Sequence, residues 1–166
     1  MLMFSLFSRS KSKPALNQAC FSPGDACLKA IITGIQSVRS SLKICVFTIS
    51  DDRITQAILQ AHRRGVAVRL LTDNEKLFDK GSDIRDLLAA GIPVRVDETA
   101  NHMHHKFALI DNELLITGSY NWTRSAAMYN HENIIVSNSK ELVNDFLQEF
   151  DKLWQKMTAL APEPLL

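Results

Sequence analysis

The stretch LKICVFTISDDRITQAILQAHRRGVAVRLL, from Leu42 to Leu71, decides the fold. Leu42 through Thr48 is rich in β-branched and apolar side chains, which suit a pleated strand. Ser50-Asp51-Asp52 follows, with side-chain oxygens able to accept the first free N–H groups of a helix. Ile54, Ala57, Ile58 and Ala61 then recur at helical spacing, and Gly65 supplies the left-handed residue that ends the helix. Val66 to Leu71 reads as a second strand. Strand, helix and strand in so short a span predict a crossover unit, which is right-handed and makes its two strands parallel.

The same rhythm extends in both directions. Upstream, Phe21-Ser22-Pro23-Gly24-Asp25 interrupts the chain, and Leu28, Ile31, Ile32, Ile35 and Val38 predict a helix over 25–39. Downstream, a short helix over 81–90 closes at Gly91, and a third strand covers 92–96. The second half changes: strands over 105–110 and 114–117 are separated by Asp111-Asn112-Glu113, a hairpin-length loop, and a further strand covers 132–136. From Lys140, the residues Leu142, Val143, Phe146, Leu147, Phe150, Leu153 and Trp154 form the apolar stripe of a closing helix. The expectation is an α/β fold with a mixed, largely parallel β-sheet flanked by helices. One domain spans 21–157, with a flexible lead over 1–20 and a loose tail over 158–166 marked by Pro162 and Pro164.

Composition agrees with one globular core. The chain has 166 residues, 46% hydrophobic and 22% charged, near the average of folded domains and away from disordered, collagenous or disulfide-scaffold classes. Cys20, Cys27 and Cys45 cannot all pair and lack C-x-x-C spacing, so reduced thiols in a cytoplasmic protein are expected. A formal charge of +1 nominates no partner class. No apolar run reaches the ~18 residues of a spanning helix. Residues 1–7 are apolar apart from Ser5 and are followed by Arg9, Lys11 and Lys13, the reverse of a secretory signal. They read as a frayed end, with a peripheral membrane contact as the sharper alternative.

Chemistry concentrates in His102-Met103-His104-His105-Lys106-Phe107-Ala108-Leu109-Ile110-Asp111 and in Gly118-Ser119-Tyr120-Asn121. Alternation on a strand puts His104 and Lys106 on one face, and His105, Phe107 and Leu109 on the other. An imidazole that titrates near neutrality thus sits beside a cation able to neutralise a phosphoryl oxygen. Gly118-Ser119 offers a tight turn, a hydroxyl and backbone N–H groups, and Asn121 an amide. These are parts for binding and attacking a phosphodiester.

Written as H-x-K-x4-D-x6-G-S-x-N, the run His104, Lys106, Asp111, Gly118, Ser119 and Asn121 matches the phospholipase D superfamily signature at every defined position. With Asn130-His131-Glu132-Asn133, the chain resembles the small single-motif branch of that superfamily, which includes the bacterial endonuclease Nuc and the mitochondrial cardiolipin hydrolase, or Zucchini, group. The resemblance implies that His104 attacks phosphorus to form a phosphohistidine while a second His protonates the leaving oxygen. One chain carries one motif, so it further implies a two-fold homodimer with both His104 side chains facing one phosphate. Lys106 and Asn121 would hold the non-bridging oxygens, Ser119 would assist, and Glu132 would orient the His104 imidazole. Asp111 belongs to the signature but suits a structural turn or ion-pair role. No cofactor or metal is implied. The substrate reading is nucleic acid, with a phospholipid head group, cardiolipin included, as the alternative. A long N-terminal membrane span and a Cys-rich zinc insert, which the mitochondrial group carries, are not seen in the sequence, which weakens the lipid and mitochondrial readings while leaving a peripheral membrane contact by residues 1–7 open. A non-catalytic nucleic-acid or membrane adaptor is the rival outside enzymes, and the intact His104, Lys106 and Asn121 speak against it.

Other residues carry plainer readings. His102 and His105 beside His104 suggest a metal, but His105 points away and no second cluster in the sequence completes a shell. Tyr120, Trp122 and Tyr129 suit core or rim packing better than base stacking. Arg63-Arg64 reads as a solvated helix end.

Overall fold

A computed structural model describes residues 14–161. The predicted crossover unit is present: β2 (Ser41–Val46) leads through α2 (Asp52–Arg63) to β4 (Ala67–Thr72), and β2 and β4 pair in parallel. Asp51 caps α2 by accepting the Arg53 N–H, and its buried carboxylate also holds the Arg53 guanidinium at 2.7 and 2.9 Å. The short β3 (Ile49–Ser50) precedes α2 and pairs with β8 (Trp122–Thr123) outside the main sheet. The first helix, α1 (Ala26–Ser37), lies beside α2, and the Arg64 guanidinium reaches the carbonyls of Ile35, Gln36 and Val38 at its end. That arginine therefore caps a neighbouring helix rather than ending its own in solvent.

After β4 come a 3-10 turn (Asn74–Leu77), α3 (Ile84–Ala89) and β5 (Val94–Val96). The hairpin of β6 (Lys106–Ile110) and β7 (Leu114–Gly118) turns at Asp111 and Asn112, whose φ values of 53° and 54° suit Asp and Asn in a tight reversal. Then follow α4 (Arg124–Met128), β9 (Asn133–Ser137), α5 (Lys140–Lys156) and β10 (Thr158–Ala159), with β1 (Asn17–Phe21) at the start.

The eight-stranded sheet runs β1-β9-β7-β6-β2-β4-β5-β10. It is mixed, as expected, but not largely parallel. Within this sheet, among the described residues, only β2–β4 and β4–β5 pair in parallel, while β1–β9, β9–β7, β7–β6, β6–β2 and β5–β10 are antiparallel. The hairpin loop between β6 and β7 permits only antiparallel pairing, and the remaining antiparallel pairs join strands that are not consecutive in the chain. Two expected margins also differ. Residues 17–20, assigned to a flexible lead, form β1, and Thr158–Ala159, assigned to the tail, pairs with β5. The expectations for residues 1–7 and for Pro162 and Pro164 lie outside the described residues.

Helices cover both faces. Leu42, Ile44 and Val46 of β2, with Val68 and Leu70 of β4 and Ala108 and Ile110 of β6, pack toward α1 and α2. Cys45, Leu71, Phe107, Leu109 and Leu115 face the other way, onto Val143 and Phe150 of α5. Strand alternation alone assigns each side chain to its layer. Tyr120 and Trp122 are fully buried in the first layer, confirming packing, whereas Tyr129 is exposed.

Topology brings several element ends to one rim. β6 runs against β2, so its first residue, Lys106, lies opposite Val46 at the end of β2. β7 returns to the same edge, where Gly118 pairs with Ile134 at the start of β9. Gly118 is obligatory there: an added Cβ would collide with the Asn133 carbonyl oxygen and come within 2.7 Å of the Ile134 Cα.

Candidate active site

His104 stands just before β6 on this rim, and Lys106 is the first residue of the strand. Lys106 is buried although charged. Its Nζ donates to the His104 carbonyl oxygen at 2.7 Å and lies 3.0 Å from Nδ1 and 3.3 Å from Nε2 of the same residue. The Phe47 ring floors the pair, 4.6 Å from the His104 ring and 5.4 Å from the Lys106 ammonium. His105 is turned to the opposite face, edge-on to Phe107, as alternation predicts.

The electrostatics favour a neutral imidazole. Partial desolvation lowers the His104 pKa, and the Lys106 charge lowers it further, with only Asp73 among the nearby groups acting in the opposite sense. Burial likewise lowers the Lys106 pKa, opposed by Glu132. A neutral ring keeps a lone pair for attack on phosphorus.

Ser119 and Glu132 meet where β7 ends and β9 begins. The Ser119 hydroxyl donates to Glu132 Oε2 at 2.5 Å and accepts the Asn133 N–H at 3.1 Å, while the Ser119 N–H donates to the Asn133 carbonyl at 3.0 Å. Ser22 secures the Glu132 backbone from β1, accepting its N–H at 3.2 Å. The expected contact between Glu132 and His104 is not made within the chain. Glu132 is engaged by Ser119 and by the Asn130 amide, and the His104 ring lies against Lys106. Asn121 follows on the loop after β7, with a buried Oδ1 that has no partner.

Asp111 is not brought to this group. It lies at the other end of β6, roughly 16 Å along the strand at ~3.3 Å per residue. There its carboxylate accepts the N–H groups of Arg39, Ser40 and Ser41 and the Ser40 hydroxyl. Burial raises its pKa, but those donors outweigh burial and the net shift is downward. Asp111 ties the hairpin turn to the start of β2.

Phe47 was not singled out from the sequence, and neither was Asp73, which follows β4 and is wholly buried. Phe47 follows β2, the strand beside β6, and Asp73 follows β4, the next strand out; both are strand-end positions where parallel units gather ligands. That rule was the one signal able to find them.

Fold and site together define a phospholipase D-like domain carrying a single copy of the motif. The family model described as cardiolipin synthase, PLD-like domain, matches residues 31–154, and the chain belongs to this phospholipase D-like family. A mitochondrial cardiolipin hydrolase of Chlamydomonas reinhardtii is 48% identical over 127 residues, covering 76% of this chain and 57% of the relative. The human mitochondrial cardiolipin hydrolase is 40% identical over 133 residues, covering 80% of this chain and 53% of that protein. The chain thus spans little more than half the length of these relatives. Among solved structures, the phospholipase D family member Nuc from Salmonella typhimurium superposes with a TM-score of 0.82 at 27% identity, covering 88% of this chain and 98% of that one. Among the described residues no helix is long and apolar enough to cross a membrane.

Proposed function

We propose that this protein is a metal-independent phosphodiesterase working through a phosphohistidine on His104. The observation that carries the reading is the buried Lys106 ammonium set against a His104 ring whose environment favours the neutral form. His104 attacks phosphorus as the P–O bond to the leaving group breaks, and an acid protonates the departing oxygen. Water, giving up a proton to that same group, then attacks phosphorus and breaks the P–N bond. Lys106 and Asn121 hold the non-bridging oxygens, and Ser119 assists.

The acid is His104 of a second copy. Within the protomer, His105 faces the opposite side of the sheet and His102 is engaged by Asp73. A two-fold dimer therefore supplies what one chain lacks, and it also offers Glu132 a His104 ring other than its own.

Nucleic acid is the first substrate reading, because the match to Nuc spans nearly that whole chain and needs nothing beyond the compact domain. A phospholipid head group is the second, favoured by the names of the cardiolipin hydrolases at 40–48% identity. It carries with it a peripheral membrane location. The test is turnover in excess EDTA of labelled single-stranded DNA or RNA and, separately, of cardiolipin vesicles, each repeated with His104→Asn. Nucleic-acid cleavage lost in the variant supports the first reading, and lipid turnover alone supports the second. Silence with every substrate, or activity that survives the substitution, contradicts the phosphohistidine assignment.

A further inference from the structure

His102 was the leftover of the histidine cluster, and its partners come from another strand. Its Nδ1 lies 3.3 Å from Asp73 Oδ2 and 3.8 Å from Glu75 Oε2. One ligand atom from each of Asp73, Glu75 and His102 falls within 4.8 Å of the other two. For Zn2+ bonded at ~2.0–2.2 Å, the edge between two ligands of a tetrahedron is about 3.3–3.6 Å. The imidazole–carboxylate spacings are close to that edge before any ion enters.

The site is also built. Asp73 is fully buried, yet among the described residues no Lys or Arg forms an ion pair with it. Two backbone groups fix its orientation, the Glu75 N–H on Oδ1 at 3.0 Å and the Met103 N–H on Oδ2 at 2.9 Å. Held carboxylates of this kind orient metal ligands. The Phe47 ring meets the His102 ring edge-on at 5.4 Å and limits its rotation. Glu75 and His102 remain accessible from solvent, which gives an ion a way in.

We propose that Asp73, Glu75 and His102 bind one divalent transition-metal ion per chain, Zn2+ foremost, at a site beside the His104–Lys106 pair. A mixed imidazole and carboxylate set suits Zn2+ better than Ca2+ or Mg2+, which take oxygen ligands. Three protein ligands leave a fourth position to water or another small donor. The ion ties the end of β4 to the segment that delivers His104, and none of its ligands is used in the proposed phosphodiester chemistry. Turnover in a chelator and metal binding are therefore separate observations.

The test is Zn2+ titration of the metal-stripped full chain by competition with a chromogenic chelator, with Co2+ absorption as a spectroscopic check. One ion per chain is expected. Affinity should fall at least about tenfold in His102→Ala and in Glu75→Gln, both at exposed positions that do not hold the fold. The His104→Asn variant should bind as the parent does. No saturable binding overturns the proposal, as does binding indifferent to both substitutions. Loss of binding in His104→Asn with retention in His102→Ala would place the ion on the reacting imidazole instead.

Discussion

The Lys106 ammonium lies against the His104 ring, 3.0 Å from Nδ1 and 3.3 Å from Nε2. A fixed cation there opposes protonation of the ring, adding to the effect of desolvation. His104 should therefore titrate below the ordinary imidazole value of ~6.5. In Lys106→Met the repulsion is gone and the midpoint should move up toward that value. NMR titration of the imidazole resonances in both proteins checks this. A wild-type midpoint at or above ~6.5, or one unmoved by the substitution, would remove Lys106 from the account of how the nucleophile is kept neutral.

Asp111 should matter for stability and hardly at all for chemistry. Its folded-state pKa is depressed, so its contribution is present above the unfolded value of ~3.9 and is lost as pH falls through the folded value. Asp111→Asn should cost about 1–3 kcal/mol at pH 7, through weaker hydrogen bonds to Arg39, Ser40 and Ser41. Urea unfolding at neutral pH and again at acid pH, below the folded midpoint, reads the difference. A gap between parent and variant that stays constant across that range would contradict the carboxylate's role.

Gly118→Ala tests the junction of β7 and β9. The new Cβ meets the Asn133 and Ile134 backbone rather than a side chain able to move away. The strands must separate, at a cost of about 2–4 kcal/mol. Ser119 and Asn121 follow directly on the displaced strand, so turnover should fall even in the fraction that remains folded. Thermal unfolding and turnover measured on the same preparation check both. An unchanged melting temperature would show that β7 and β9 do not need this close approach.

Much of this was legible in the sequence because the signals are local. Periodicity located α1, α2 and α5, and spacing located His104, Lys106, Ser119 and Asn121. Edge strands were less legible. In β1 only Cys20 is buried, and both residues of β10 are exposed, so neither strand carries the apolar alternation that announces one. The proportion of parallel pairing was overestimated because the order of β9, between β1 and β7, depends on long-range contacts that no short window contains. Phe47 and Asp73 escaped for a similar reason. Each lies far from the motif in sequence and reaches it across the sheet, Phe47 from the end of β2 beside β6 and Asp73 from the end of β4 beside β2. The partners of His102 were missed in the same way, since a search for neighbouring ligands along the chain stops well short of Asp73.

If one phosphate is worked on by two copies of His104, subunit mixing will show it. Wild-type and His104→Asn chains, combined in equal amounts, unfolded together and refolded, should assort at random into two-fold dimers. If each site needs both imidazoles, only wild-type pairs turn over, and activity should be about one quarter of that of the same total of wild-type protein. Activity of about one half would mean that each chain works alone, and the shared site would be wrong.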